Sequence, residues 1–135
     1  MTEEVFETET FDADEIGNLI LNFRDAYEIA VNEKDFSLIV QYLKNESEAY
    51  QELDIYIGDL QDTSYHYDFT ENHILDVTEM ADGSVEVATR ELFTFTNHLN
   101  NATDYDREQI YTLENVDGVY EIRLIEYVET NRNKR

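Results

Sequence analysis

"VEVATRELFTFT", residues 85–96, holds the alternation on which the fold turns. Successive side chains of an extended strand point to opposite faces. One face of this stretch therefore carries Val85, Val87, Thr89, Glu91, Phe93 and Phe95. The turn signal "ADGS" (81–84) precedes it, and Asp-Gly between two alternating runs marks a hairpin. The upstream partner is broken in two: Tyr65, Tyr67 and Phe69 alternate, a polar "TEN" (70–72) interrupts, and the pattern resumes from Ile74 to Met80.

Downstream, "NHLNNA" (97–102) connects to a third run. In it Tyr105, Arg107, Gln109, Tyr111 and Leu113 alternate with Asp104, Asp106, Glu108, Ile110 and Thr112. "ENVDG" (114–118) closes a further hairpin, after which Tyr120, Ile122 and Leu124 oppose Val119, Glu121, Arg123 and Ile125. From Glu129 the polar "ETNRNKR" reads as a loose tail.

Before residue 62 the period is helical. Asp12 can cap a helix, Glu15 stands three residues on, and Phe11 with Ile16 has the spacing of a hydrophobic staple. Ile16, Leu19, Ile20, Phe23, Ala26, Tyr27 and Ala30 then recur at three- and four-residue steps, predicting a long amphipathic helix that ends near Asn32. Asp35 can cap a short second helix carrying Phe36, Ile39, Val40 and Leu43 on one face. Ser47 or Asn45 opens a third, where Ala49, Tyr50, Leu53, Tyr56, Ile57 and Leu60 share a side and Gly58 weakens the last turn.

Three helices followed by a meander of about four antiparallel strands is an α+β arrangement. Long twisted strands do not stay flat, so the sheet is expected to curl around the first helix into a cone, the NTF2-like or cystatin-like fold. With no proline and no internal repeat, the chain reads as one domain over residues 12–128, between an acidic leader (1–11) and the polar tail (129–135).

Composition narrows the partners. Nine basic residues against 32 acidic ones leave a formal charge of −23, which repels nucleic-acid phosphates and anionic lipid surfaces. The same charge keeps a domain soluble. No cysteine is present, which excludes disulfides, thiol nucleophiles and thiolate metal sites. His66, His73 and His98 lack ligand spacing. "DADE" (12–15) and "DYD" (104–106) supply oxygens but no EF-hand loop, so neither a metal nor a cofactor is expected. No apolar run is long enough to cross a membrane and no signal peptide opens the chain; if the protein works outside the cell, its export segment lies upstream.

Three stretches carry a family resemblance: "NFRDAYEIAVNEKDFSLIVQYLKNESEAYQEL" (22–53), "YHYDFTEN" (65–72) and "ELFTFTNHLNNATDYDREQIYTLENVDGVYEIRLIEY" (91–127). Together they resemble the C-terminal NTF2-like domain of the TcaA (teicoplanin-resistance-associated) and YvbJ-type membrane proteins of Gram-positive bacteria, across roughly residues 14–128. The resemblance implies a modular protein with a cytoplasmic zinc ribbon, one membrane helix and extracytoplasmic domains, linked to envelope stress and glycopeptide susceptibility. It brings no catalytic residues.

The leading expectation is therefore a non-catalytic extracytoplasmic binding module, contacting a cell-wall component, a glycopeptide or another envelope protein. Ten Tyr and seven Phe can offer stacking surfaces, or can simply line a small curved sheet. A second expectation is an isomerase- or dehydratase-type enzyme acting on a small apolar ligand in the cone, where burial raises a carboxyl pKa. Glu91 is its candidate acid, Phe93 a candidate wall and Tyr111 a candidate phenol donor, although a β-bulge near Arg90 would turn Glu91 outward. A third is a protein-interaction or dimerisation domain that uses the open face of the sheet, with a homodimer as one form. Arg107 is expected to pair with neighbouring acids on an exposed rim.

Overall fold

The computed structural model describes residues 12–134. Helix α1 spans Ala13–Glu33 and α2 Glu48–Asp59; the strands are β1 (His66–Glu79), β2 (Val85–Thr96), β3 (Ala102–Val116) and β4 (Val119–Lys134). The strands form one antiparallel sheet in the order β1-β2-β3-β4.

Local chemistry sets the helix starts. The Asp12 carboxylate accepts from the N–H groups of Asp14 (2.9 Å) and Glu15 (3.3 Å), satisfying donors that have no partner within the helix. Ser47, rather than Asn45, caps α2 through the Tyr50 N–H at 3.2 Å. Phe11, the outer half of the expected staple, lies outside the described residues.

The expected second helix is not an α-helix. Phe36–Leu38 and Val40–Tyr42 are two 3-10 turns, the first capped by Asp35. The reason lies just downstream: Leu43 is extended, forms a parallel bridge to Ile122, and Lys44 donates to the Ile122 carbonyl at 2.8 Å. The chain must reach the sheet there, which leaves too few residues for α-helical turns.

β1 is continuous through "TEN". Register shifts between Phe69 and Glu71 and between Ile74 and Asp76 each insert an extra residue. The inward-leaning set therefore steps from Tyr67 and Phe69 to Asn72 and Ile74 and then to Val77. β4 carries two such shifts against β3, whereas β2 and β3 pair without any. Bulges bend a strand and raise its twist. Confined to the outer strands, they curl the sheet around an unbroken middle pair.

Both edges receive cover. The Asn32 side chain donates to the Tyr67 carbonyl and accepts from its N–H, each at 2.7 Å, and Glu28 accepts from the Phe69 N–H at 3.0 Å. Thus α1 occupies backbone groups of the β1 edge that would otherwise invite another strand. At the other edge the Leu43–Lys44 segment pairs with β4. The β3–β4 hairpin turns at Asp117 (φ 55°) and Gly118 (φ 91°), the two positive φ values that match the strands' twist.

The core lies between helices and sheet. Ile16, Ile20, Phe23 and Val31 of α1 and Leu53 and Ile57 of α2 pack with Val85, Val87, Leu113 and Ile122. The stretch from Glu129 is not loose: β4 runs past the expected boundary at residue 128, pairing Glu129 to Lys134 with Glu108 to Thr103. A net hydrogen bond contributes about 0.5–1.5 kcal/mol. Deleting residues 129–135 is therefore expected to lower Tm and to speed amide exchange at those β3 N–H groups that bond to β4. An unchanged Tm would show that the extension adds nothing.

Candidate functional site

At the centre of the cone the side chain of Glu91 is fully buried. β2 carries no bulge near Arg90, so Glu91 keeps the inward phase of Val87 and Phe93. Its carboxylate is surrounded by donors. Arg24 of α1 reaches Oε1 at 2.9 Å, while the Tyr111 hydroxyl (2.6 Å) and the Thr89 hydroxyl (3.0 Å) both donate to Oε2. The Gln109 amide, with its NH2 turned toward Glu91, donates at 2.5 and 3.1 Å. Tyr111, expected as a phenol donor to a ligand in the cone, donates instead to the protein's own carboxylate.

Sequence reading missed Arg24. The available signal was its spacing: it stands four residues after Ile20 and three before Tyr27, on the face that docks on the sheet. It is 4% exposed and lies 4.6 Å from the ring centres of both Tyr27 and Phe69. Burial alone favours the neutral guanidine, but Glu91 beside it holds the proton more tightly than usual. Its Nε is buried without a hydrogen-bond partner among the described residues.

Beyond this pair the cone is hollow. A cavity of about 370 Å³ is floored by rings from three strands. Phe69, Phe93 and Tyr105 stand in register across β1, β2 and β3 and stack at centroid distances of 5.0 and 4.9 Å. Tyr27, Tyr56 and Tyr67 close one side, and Tyr127, 63% exposed, stands at the mouth. Phe93, expected as a wall, is one. An adjoining hollow of about 310 Å³ shares Arg24, Tyr27, Tyr56, Gln109 and Tyr127 with the first.

Arg107 departs from its expected role. It lines the cavity, its guanidinium 4.4 Å from the Tyr127 ring centre and 5.3 Å from that of Phe93, and its Nε donates to the Thr130 hydroxyl at 3.1 Å. The rim pairing expected of it is made by Arg90, which forks onto Asp106 at 2.9 and 2.6 Å and holds that carboxyl below its ordinary range. The histidines do not converge on the site, and no group of three His, Cys, Asp or Glu is placed to hold a metal ion among the described residues. No helix among them is long and apolar enough to cross a membrane.

A curved four-stranded antiparallel sheet closed by an N-terminal helix over a lined hollow defines the NTF2-like class. Within it, the sequence profile described as the TcaA protein NTF2-like domain matches residues 13–126, and the chain belongs to that family. No curated protein matches the sequence. Among solved structures, Aln2 from a Streptomyces species is similar with a TM-score of 0.57 at 16% identity, covering 88% of this chain and 94% of its own. A protein of Novosphingobium aromaticivorans, provisionally described as an aromatic ring hydroxylase, gives a TM-score of 0.61 at 7% identity, covering 87% and 91%. Both likenesses show the fold alone.

Two outcomes follow from this geometry. Replacing Glu91 with Gln leaves Arg24 buried without its counter-charge, and breaking such a pair costs about 3–5 kcal/mol, measurable by urea unfolding. The double change Arg24→Met with Glu91→Leu is expected to recover most of that loss.

The tyrosines give a pH dependence. Burial pushes Tyr67 up to about 12, its hydrogen bond with Tyr56 opposing part of the rise, and burial raises Tyr27, Tyr56 and Tyr111 as well. An unfolded chain releases these protons near pH 10, about two units before folded Tyr67 does. The raised values contribute stability that is present below pH 10 and falls as pH rises toward 12. Tyrosinate absorbance should accordingly rise in two phases, the later one coinciding with unfolding.

Proposed function

We propose that the chain is a non-catalytic binding domain of a membrane-anchored cell-envelope protein, working on the extracytoplasmic face and receiving a small ligand in its cone. One observation carries the non-catalytic part. A general acid or base must offer its proton or lone pair to the substrate. Glu91, the acid at the centre, turns both oxygens to Arg24, Tyr111, Thr89 and Gln109. A carboxylate has about four acceptor positions, and these donors occupy them.

What faces the hollow is instead a set of rings, two guanidinium groups and an amide. Such groups hold ligands without cycling protons near neutral pH. Membership of the TcaA NTF2-like family supports the envelope setting, because the resemblance brings with it a membrane-anchored architecture. Cell-wall fragments present sugar faces and peptide carboxylates, chemistry that suits aromatic rings and guanidinium groups. Of a glycopeptide or another envelope protein, only a single side group would enter by the same mouth beside Tyr127.

Titration of the ¹⁵N-labelled domain with soluble peptidoglycan fragments, and separately with a glycopeptide, tests this reading. The expected result is a set of saturable amide shifts confined to the cone segments of β1, β2 and β3. Shifts restricted to the outer face of the sheet, or none with any ligand, would overturn it.

A further inference from the structure

The register of the middle strands leaves one charge uncommitted. Glu91 on β2 stands directly opposite Arg107 on β3, a position where acid and base ordinarily pair across strands. They do not pair here, because Glu91 is satisfied by Arg24 from the helix and by three neutral donors. Arg107 is held only at its Nε, by Thr130, and its two Nη groups have no protein partner among the described residues. Its plane is steadied by the rings of Tyr127 and Phe93 instead.

Two further observations bear on the charge of a ligand. The chain carries 32 acidic residues, yet among the described residues none lines the main cavity; there Glu52 borders only the adjoining hollow. The Nε of Arg24, a residue in the wall shared by both hollows, is a buried donor without a partner among the described residues. A buried donor left unpaired costs free energy that an acceptor brought by a ligand recovers.

We propose that the cone selects a small flat carboxylate, an aromatic or comparably planar acid, with Arg107 as the anchor of its carboxylate. The inference rests on reading the cone as a binding site and adds the ligand's charge and shape. The planar body lies against the floor of Phe69, Phe93 and Tyr105, while the carboxylate takes the free Nη edge of Arg107 as a forked pair. The hollow of about 370 Å³ is at the small end for ligand pockets, so a one- or two-ring acid suits it better than a larger molecule. The net charge of −23 repels anions at long range, so affinity must come from contact inside the cone rather than from steering.

The test compares 2-naphthoate with 2-naphthamide, which share a ring system and differ in charge, and adds inorganic phosphate as an anion without a ring. Binding of each to the wild-type domain, Arg107→Gln and Arg107→Lys is followed by amide shifts, with each variant's own spectrum reporting its fold. The expected result is saturable naphthoate binding in the cone, about tenfold or more tighter than naphthamide, with no saturable phosphate binding. Arg107→Gln should bring naphthoate down to the level of naphthamide without weakening naphthamide, and Arg107→Lys should retain part of the difference. Equal binding of acid and amide, or an unchanged preference in Arg107→Gln, would overturn the charge selection while leaving the cone a binding site. Saturable phosphate binding at Arg107 would overturn the requirement for a ring. Failure of both naphthalene probes and of the wall fragments would overturn both readings.

Discussion

The buried contact between Arg24 and Glu91 is the constraint around which the molecule is arranged. Both side chains are almost wholly withdrawn from water, and neither charge could be left there alone. Desolvation offsets much of what such a pair gains by attraction, so its value to net stability is small. Its value to geometry is larger. Only one rotation of α1 about its axis brings Arg24 to Glu91, and that rotation also sets Ile20 and Phe23 into the core and Tyr27 over the cavity.

The same contact governs the chemistry left for the hollow. By satisfying Glu91 from the helix side, Arg24 releases Arg107 from its cross-strand neighbour. The central acid becomes an internal strut, and the free cation stands beside the mouth. The bulges of β1 and β4 complete the arrangement by curling the outer strands, while the unshifted β2–β3 pair keeps Phe93, Tyr105 and Arg107 in fixed register.

Much of this was legible in the residues, because burial imposes a period. The alternation from Val85 to Phe95 placed Glu91 on the inner face, and the three- and four-residue steps from Ile16 to Ala30 placed the docking side of α1. Capping chemistry marked Asp12 as one helix start and left Ser47 or Asn45 as the other. Where the reading failed, a distant partner had outweighed local pattern. Phe36, Ile39, Val40 and Leu43 have helical spacing, but the bridge from Leu43 to Ile122 extends the chain. "TEN" is polar, yet pairing with β2 draws it into the strand by bulging it. The end of β4 has the composition of a tail and is ordered by β3.

The sequence by itself determined the α+β class, the inward phase of each middle strand, the family and the acidic surface, since these depend on local periodicity, composition and wording. Only the tertiary structure decided which charges meet. Arg24 and Arg107 both stand at inward positions of their elements with acids close by in sequence, and local spacing does not say which of them meets Glu91. The docking of α1 buries one beside Glu91 and leaves the other facing the cavity, because a carboxylate already saturated by the helix and its own strands has no acceptor left for a second guanidinium.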